Sequence, residues 1–155
     1  MKILLAVDGS SCSEEAVMEI ARRPWPTGSE VRIFSVAELP ARLMATGDVV
    51  SPRLVEDLEQ VARAQAGAAI VQALAIFREH AGQELSVTTA VVVDTARDAI
   101  LDEAERWGAN LIVVGSHGYR GYRRFLLGSV SQAVATQAKC SVEIVRTERR
   151  DDNDN

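Results

Sequence analysis

At 155 residues, with a hydrophobic fraction of 47% and a charged fraction of 25%, the chain has the size and composition of one globular domain. A formal charge of −5 and only 5% aromatic residues give no basis for a polyanionic partner, so nucleic acid is not an expected ligand. No apolar run reaches the ~18 residues of a membrane span, and "MKILLAVDGS" turns polar too early for a signal peptide, so cytoplasmic placement without a membrane partner is expected.

Residues 2–8, "KILLAVD", form an apolar run closed by a turn signal, the pattern of a strand covered on both faces. In "GSSCSEEA", Ser11 followed three residues later by Glu14 predicts a capping box at a helix start. The buried stripe of that helix is Ala16, Val17, Ile20 and Ala21, and Pro24 ends it. A second strand, rich in β-branched residues, covers 30–38, and a loop holding Pro40, Gly47 and Asp48 follows. Ser51 and Pro52 then supply an N-cap and an N1 proline for a long helix. Leu54, Leu58, Val61, Ala69, Ala73 and Phe77 keep helical period to about His80.

A third strand is predicted over 85–93. Asp94 or Thr95 caps the next helix, which carries Ile100, Ala104 and Trp107 and closes with Gly108 in the left-handed position. The fourth strand, "NLIVV", covers 110–114, and a glycine-rich loop leads to a helix from Ser129 to Ala138. The fifth strand covers 141–146. Residues 1–147 thus read as one domain, and 148–155 as a disordered polar tail. Cys12 and Cys140, far apart in sequence, read as small apolar fillers. With only His80 and His117 beside them they build no metal framework. Trp25 and Trp107 read as packing residues at helix ends.

Strands alternating with helices imply parallel pairing, because a parallel neighbour needs a crossover connection. The expected fold is α/β: a five-stranded open parallel sheet in the order 3-2-1-4-5 with helices on both faces. Its switch point lies between strands 1 and 4, where ligands bind outside the carboxyl ends of the strands. Those ends are Asp8–Gly9–Ser10 and Gly115–Ser116–His117–Gly118, so two polar, glycine-bearing loops converge on one crevice.

Four of the ten glycines fall within residues 115–129, "GSHGYRGYRRFLLGS". Gly128 and Ser129 stand at the start of the last helix, where unpaired N–H groups and the helix dipole favour an anion. Gly128 is expected to let a phosphate reach the N–H groups of Ser129, Val130 and Ser131 with no Cβ in the way, with the Ser129 and Ser131 hydroxyls adding hydrogen bonds. Gly115 and Gly118 are expected to let another part of the same ligand lie against main chain. The spacing is neither a Walker A loop nor G-x-G-x-x-G.

Gly115-x-x-Gly118, nine residues, then Gly128-Ser129 reproduces the G-x2-G-x9-G-[S/T] pattern and resembles the ATP-binding type of the universal stress protein family. "ILLAVDGSSCSEEA", "ANLIVVGSHG" and "GSVSQAVATQAKCSVEIVR" resemble that family's first strand and turn, fourth strand, and closing helix and strand. The resemblance covers residues 1 to about 147 and implies a Rossmann-like fold of the adenine nucleotide alpha hydrolase type. It implies an adenine-nucleotide ligand, usually ATP, with Mg²⁺ carried on the phosphates; AMP or a cyclic nucleotide stays open. It implies that Ala6, Val7 and Asp8 lie beside the adenosine, Asp8 toward the ribose or a phosphate-bound Mg²⁺. Val36 would meet the adenine through its backbone, and Val114 and Gly115 would border the ribose. Gly118, Gly128, Ser129, Val130 and Ser131 would hold the phosphates. Where the family often has glycine and proline before the third helix, this chain has Asp94 and Ala96, in a segment expected to flank the third strand away from the crevice.

Asp8 is the one carboxylate expected in the crevice, with capping of the first helix turn as its structural role. His117 is expected as a contact or turn residue. Ser116, His117 and Asp8 are not read as a triad, because nothing fixes the base–orienter geometry. Of Arg120, Arg123 and Arg124, one is expected to face the terminal phosphate and the others to be solvated. Phe125, Leu126 and Leu127 would anchor the loop. The apolar fifth strand lies at a sheet edge, which invites pairing, and the resemblance implies a symmetric homodimer through it. The expected function is a stress-response sensor or regulator working through a nucleotide-dependent homodimer. The alternatives are a dimeric interaction module that binds no nucleotide and a slow ATPase or nucleotidyl transferase. No catalytic residue and no protein metal site are assigned.

Overall fold

In the computed structural model, described over residues 1–40, 51–81, 85–118 and 127–147, five strands alternate with four helices. The strands are β1 (Lys2–Ala6), β2 (Glu30–Ala37), β3 (Ser86–Val93), β4 (Leu111–Gly115) and β5 (Ser141–Val145). The helices are α1 (Ser11–Arg22), α2 (Pro52–His80), α3 (Ala96–Trp107) and α4 (Ser129–Gln137). All neighbouring strands run parallel in the order β3-β2-β1-β4-β5, the expected arrangement. Gly47, Asp48, Arg120, Arg123, Arg124, Phe125, Leu126 and the tail 148–155 lie outside the described residues.

Strand alternation sends successive side chains to opposite faces. On one face Ile3 and Leu5 of β1, Val31 and Ile33 of β2, and Val113 of β4 pack against Val17 and Ile20 of α1 and Ile70 and Phe77 of α2. On the other, Leu4, Phe34 and Ile112 pack against Ile100 of α3 and Val134 of α4. Register places Leu5 beside both Ile33 and Val113, so β1 is central and its carboxyl end opens between β2 and β4. Across the second face, Arg32 lies 4.4 Å over the Trp107 ring and 2.5 Å from the buried Glu103, which ties α3 to β2. Trp25 Nε1 donates to the Ile20 carbonyl at 2.8 Å and closes the end of α1. Cys12 is buried and Cys140 half-buried, both as free thiols.

Helix ends follow the sequence with one shift in register. The cap of α1 is Ser10, not Ser11: Ser10 Oγ accepts the Ser13 N–H at 3.3 Å. Asp8 causes the shift, because its Oδ1 accepts both the Ser10 N–H (3.0 Å) and the Ser10 hydroxyl (2.6 Å) and fixes that side chain. Glu14 does not return to the cap; its carboxylate accepts from Gln72 of α2. Ser51 caps α2 through the Leu54 N–H, with Pro52 in the first turn. Gly108 ends α3 at φ 71°, ψ 45°, in the left-handed region.

The apolar stripe expected along α2 is buried only in its second part. Leu54 and Val61 are 49% and 54% exposed, and the buried residues begin at Ala62. Length explains this: 29 residues of helix extend ~43 Å, beyond the ~26 Å of an eight-residue strand. Among the described residues no helix is long and apolar enough to cross a membrane.

Two stability changes of opposite sign are expected, each read by urea denaturation. Ile112→Ala empties a fully buried site and is expected to cost about 2–5 kcal/mol. Gly67→Ala places a Cβ in open space inside α2 and is expected to stabilise by about 1 kcal/mol through helix propensity alone.

Candidate functional site

After β1 the chain turns through Gly9, whose φ of 79° is a left-handed conformation, and enters α1 at once. Asp8 holds this turn through Ser10, and the Ser10 hydroxyl also approaches the His117 carbonyl at 3.3 Å. The turn after β1 and the loop after β4 are therefore joined. The expected capping role of Asp8 is indirect: it orients the cap rather than being it.

After β4 the main chain is packed directly on main chain. A Cβ added at Gly115 would lie 2.9 Å from the Cys12 carbonyl carbon and 2.9 Å from the Ser13 nitrogen. Gly115 is thus required by close approach of β4 to the first turn of α1. The Gly128 N–H donates to the Ser116 carbonyl at 2.8 Å, and an added Cβ would meet that oxygen at 3.2 Å. A Cβ at Gly118 would meet Asp8 Oδ2 at 2.7 Å. These glycines make room for the protein's own atoms, a constraint that stands beside the expected approach of a ligand.

Ser131 is 2% exposed, and its hydroxyl donates toward the Ser116 carbonyl (3.0 Å) and the Gly128 carbonyl (2.9 Å). Of the two hydroxyls expected to face an anion, that of Ser131 therefore bonds within the protein, and that of Ser129 remains at the cavity. Gly128 caps α4 without a side chain, and Ser129 is exposed. What α4 presents is its first-turn main-chain N–H groups and the Ser129 hydroxyl.

A cavity of about 950 Å³ lies over the carboxyl ends of β1, β2 and β4, at the upper end of the range for small-molecule sites. Eleven residues singled out in sequence line it: Ala6, Val7 and Asp8 at the end of β1, Val36 in β2, Val114, Gly115 and Gly118 around the end of β4, and Gly128, Ser129, Val130 and Ser131 at α4. His117 lines it too, and its Nε2 is the one buried side-chain nitrogen or oxygen without a partner among the described residues. The cavity and this orphaned atom fit an elongated polar ligand. His117 Nδ1 lies 3.2 Å from Ser116 Oγ, which itself donates to Cys12 Sγ at 3.6 Å. That path leads to a thiol and builds no triad.

Three parts of the wall were not expected. Ala62, Ala66 and Ala69 of α2 close one side, Glu38 follows β2, and Ala96 and Ile100 of α3 complete the far end. Ala96 thus lies at the cavity and not away from it. Asp8 is likewise not the one carboxylate there, since Glu38 is a second. The described lining holds no lysine or arginine. Among the described residues no group of three or more histidine, cysteine or acidic side chains can hold a metal. Cys12 sits behind the wall: burial opposes ionisation of its thiol, but hydrogen bonds from Ser116, His117 and Thr147 outweigh it and hold the thiol below its ordinary value.

The model of the universal stress protein family matches residues 1–146. Universal stress protein YxiE of Bacillus subtilis is 28% identical over 149 residues, 94% of this chain and 98% of that protein. Universal stress protein A homolog 2 of Coxiella burnetii matches locally, 52% identical over 56 residues that span 36% of this chain and 38% of that protein. Among solved structures, hypothetical protein MJ0577 superimposes with a TM-score of 0.74 at 25% identity, covering 96% of both chains. A universal stress protein in complex with cAMP gives 0.68 at 24% identity, covering 96% of this chain and 98% of that one. One from Archaeoglobus fulgidus in complex with dAMP gives 0.60 at 24%, covering 94% and 97%. At these last identities the likeness is one of fold.

The packing at the two glycines predicts an order of damage. Gly115→Ala forces backbone apart and is expected to cost about 1–3 kcal/mol. Gly128→Ala asks for only a few tenths of an ångström and is expected to cost less. Thermal melts of the two variants side by side check the ranking.

Proposed function

The chain belongs to the universal stress protein family, and from that premise we propose that it binds an adenine nucleotide, ATP with Mg²⁺ on its phosphates, as a cytoplasmic stress-response regulator. The observation that carries this reading is the convergence of the ends of β1, β2 and β4 and the glycine-capped start of α4 on one cavity of about 950 Å³. The complexes of related folds with cAMP and dAMP support it.

In this reading Ala6, Val7 and Asp8 border the adenosine, Val36 meets the base through its backbone, and Val114 and Gly115 flank the ribose. The phosphates lie at Gly118 and at the N–H groups of Ser129, Val130 and Ser131 that follow Gly128. Main-chain donors and the Ser129 hydroxyl serve here, the Ser131 hydroxyl being committed elsewhere. His117 Nε2 supplies a polar contact from the wall.

Charge argues for the metal. Asp8 and a phosphate oxygen about 4 Å apart repel by ~4 kcal/mol at an effective dielectric of ~20. Asp8 would hold a divalent cation that the phosphates carry, whose positive charge would offset that repulsion. We further propose that the nucleotide acts on a homodimer formed through the β5 edge. It biases the dimer only through different affinities for its states. We assign no catalytic residue.

Mg·ATP at ~100 times its dissociation constant adds about 2.7 kcal/mol of stability, and a rise in melting temperature of roughly 5–10 °C is expected. No rise, together with no nucleotide released on denaturing the purified protein, would favour an interaction module with nothing in the cavity. Asp8→Ala is expected to weaken ATP binding and reduce its dependence on Mg²⁺. Titrations with and without the metal check this.

A further inference from the structure

Glu38 follows the last residue of β2 and is one of two carboxylates in the described wall of the cavity. A partner distant in sequence holds it in place. Its Oε1 accepts the N–H of Ala96, the first residue of α3, at 2.5 Å. Thr95 occupies the cap position of α3 but makes no side-chain cap bond, and its hydroxyl donates to Asp98 instead. Glu38 therefore does the work of the cap. It satisfies an orphaned first-turn N–H and sets negative charge against the positive end of α3.

One N–H occupies one of about four lone-pair sites on a carboxylate. No other described residue donates to Glu38. An oriented acceptor with spare capacity thus stands beside Val36, Ala96 and Ile100, at the end of the cavity formed by β2 and α3. In the sheet order β1 stands between β2 and β4, the strand that precedes α4. A carboxylate accepts hydrogen bonds and cannot offer one, so it discriminates between ligands by where they carry donors.

We infer that Glu38 selects the base of the bound nucleotide, accepting from the exocyclic amino group of a 6-aminopurine and repelling the carbonyl of a 6-oxopurine. The inference rests on the nucleotide reading above and adds to it the side chain that chooses the base. Hydrogen bonds to charged groups are worth about one to two tenfold steps in affinity. Because Glu38 is exposed to water, a preference of about tenfold is expected.

The test compares ATP with inosine triphosphate, which carries a carbonyl at position 6, by titration calorimetry on the wild type and on Glu38→Gln. In the variant the amide oxygen can keep the Ala96 N–H and so preserve the helix cap, which an unchanged melting temperature verifies. Its NH₂ then replaces an acceptor with a donor. The wild type is expected to favour ATP about tenfold, and Glu38→Gln to lose or invert that preference while still binding a triphosphate. A preference unchanged by the substitution, or none in the wild type, overturns the inference and leaves nucleotide binding intact. Binding of neither triphosphate by the wild type overturns the nucleotide reading and this inference together. Should Glu38→Gln melt early, the wild type alone decides with N6,N6-dimethyl-ATP, which lacks both amino hydrogens. A loss of about tenfold supports the role of Glu38, and equal affinity refutes it.

Discussion

The contact on which the rest depends is main chain against main chain at the end of β4. Gly115 lies against the first turn of α1, and the Ser116 carbonyl receives the Gly128 N–H and the Ser131 hydroxyl. These contacts fix the starts of α1 and α4 relative to one strand. The Ser116 N–H, bonded to the Val145 carbonyl at 2.7 Å, adds β5 to the same junction. Most of these contacts join main-chain atoms, which have no rotamers to change.

Three helices start around that rim, and their ends differ chemically. The start of α1 is closed by the Ser10 hydroxyl under the control of Asp8. The start of α3 is closed by Glu38. The start of α4 has only Gly128 before it and no acid in its first turn. An anion meets competition at the first two and open donors at the third. The polarity of the cavity thus follows from which residues precede each helix, acceptors toward β2 and donors toward α4.

Much of this was legible because it rests on local patterns. Strand alternation with helices gave the sheet order. Ser51–Pro52 gave the start of α2, Gly108 the end of α3, and the two polar turns gave the rim. What stayed hidden depends on contacts distant in sequence. "SSCS" offers hydroxyls at successive positions, and only the Asp8 carboxylate decides that Ser10 is the cap. Periodicity marks Ala69 and its neighbours as an inward stripe, yet it cannot say whether the stripe meets side chains or a void. Ala96 and Glu38 are far apart in sequence and meet only because β2 and β3 pair in register to Ala37 and Val93. The packing role of the glycines stayed hidden for the same reason. Their bareness is visible in sequence, but the atoms that would collide with a Cβ are not.

The Ser131 hydroxyl turned inward has a consequence for how this cavity tolerates change. Truncating a side chain cannot delete a peptide N–H, so the start of α4 has little to lose from shortening substitutions at its surface. Additions are another matter, since a single methyl group at Gly115 lands on backbone. The end of β4 is fragile to extra atoms, and the start of α4 is robust to missing ones.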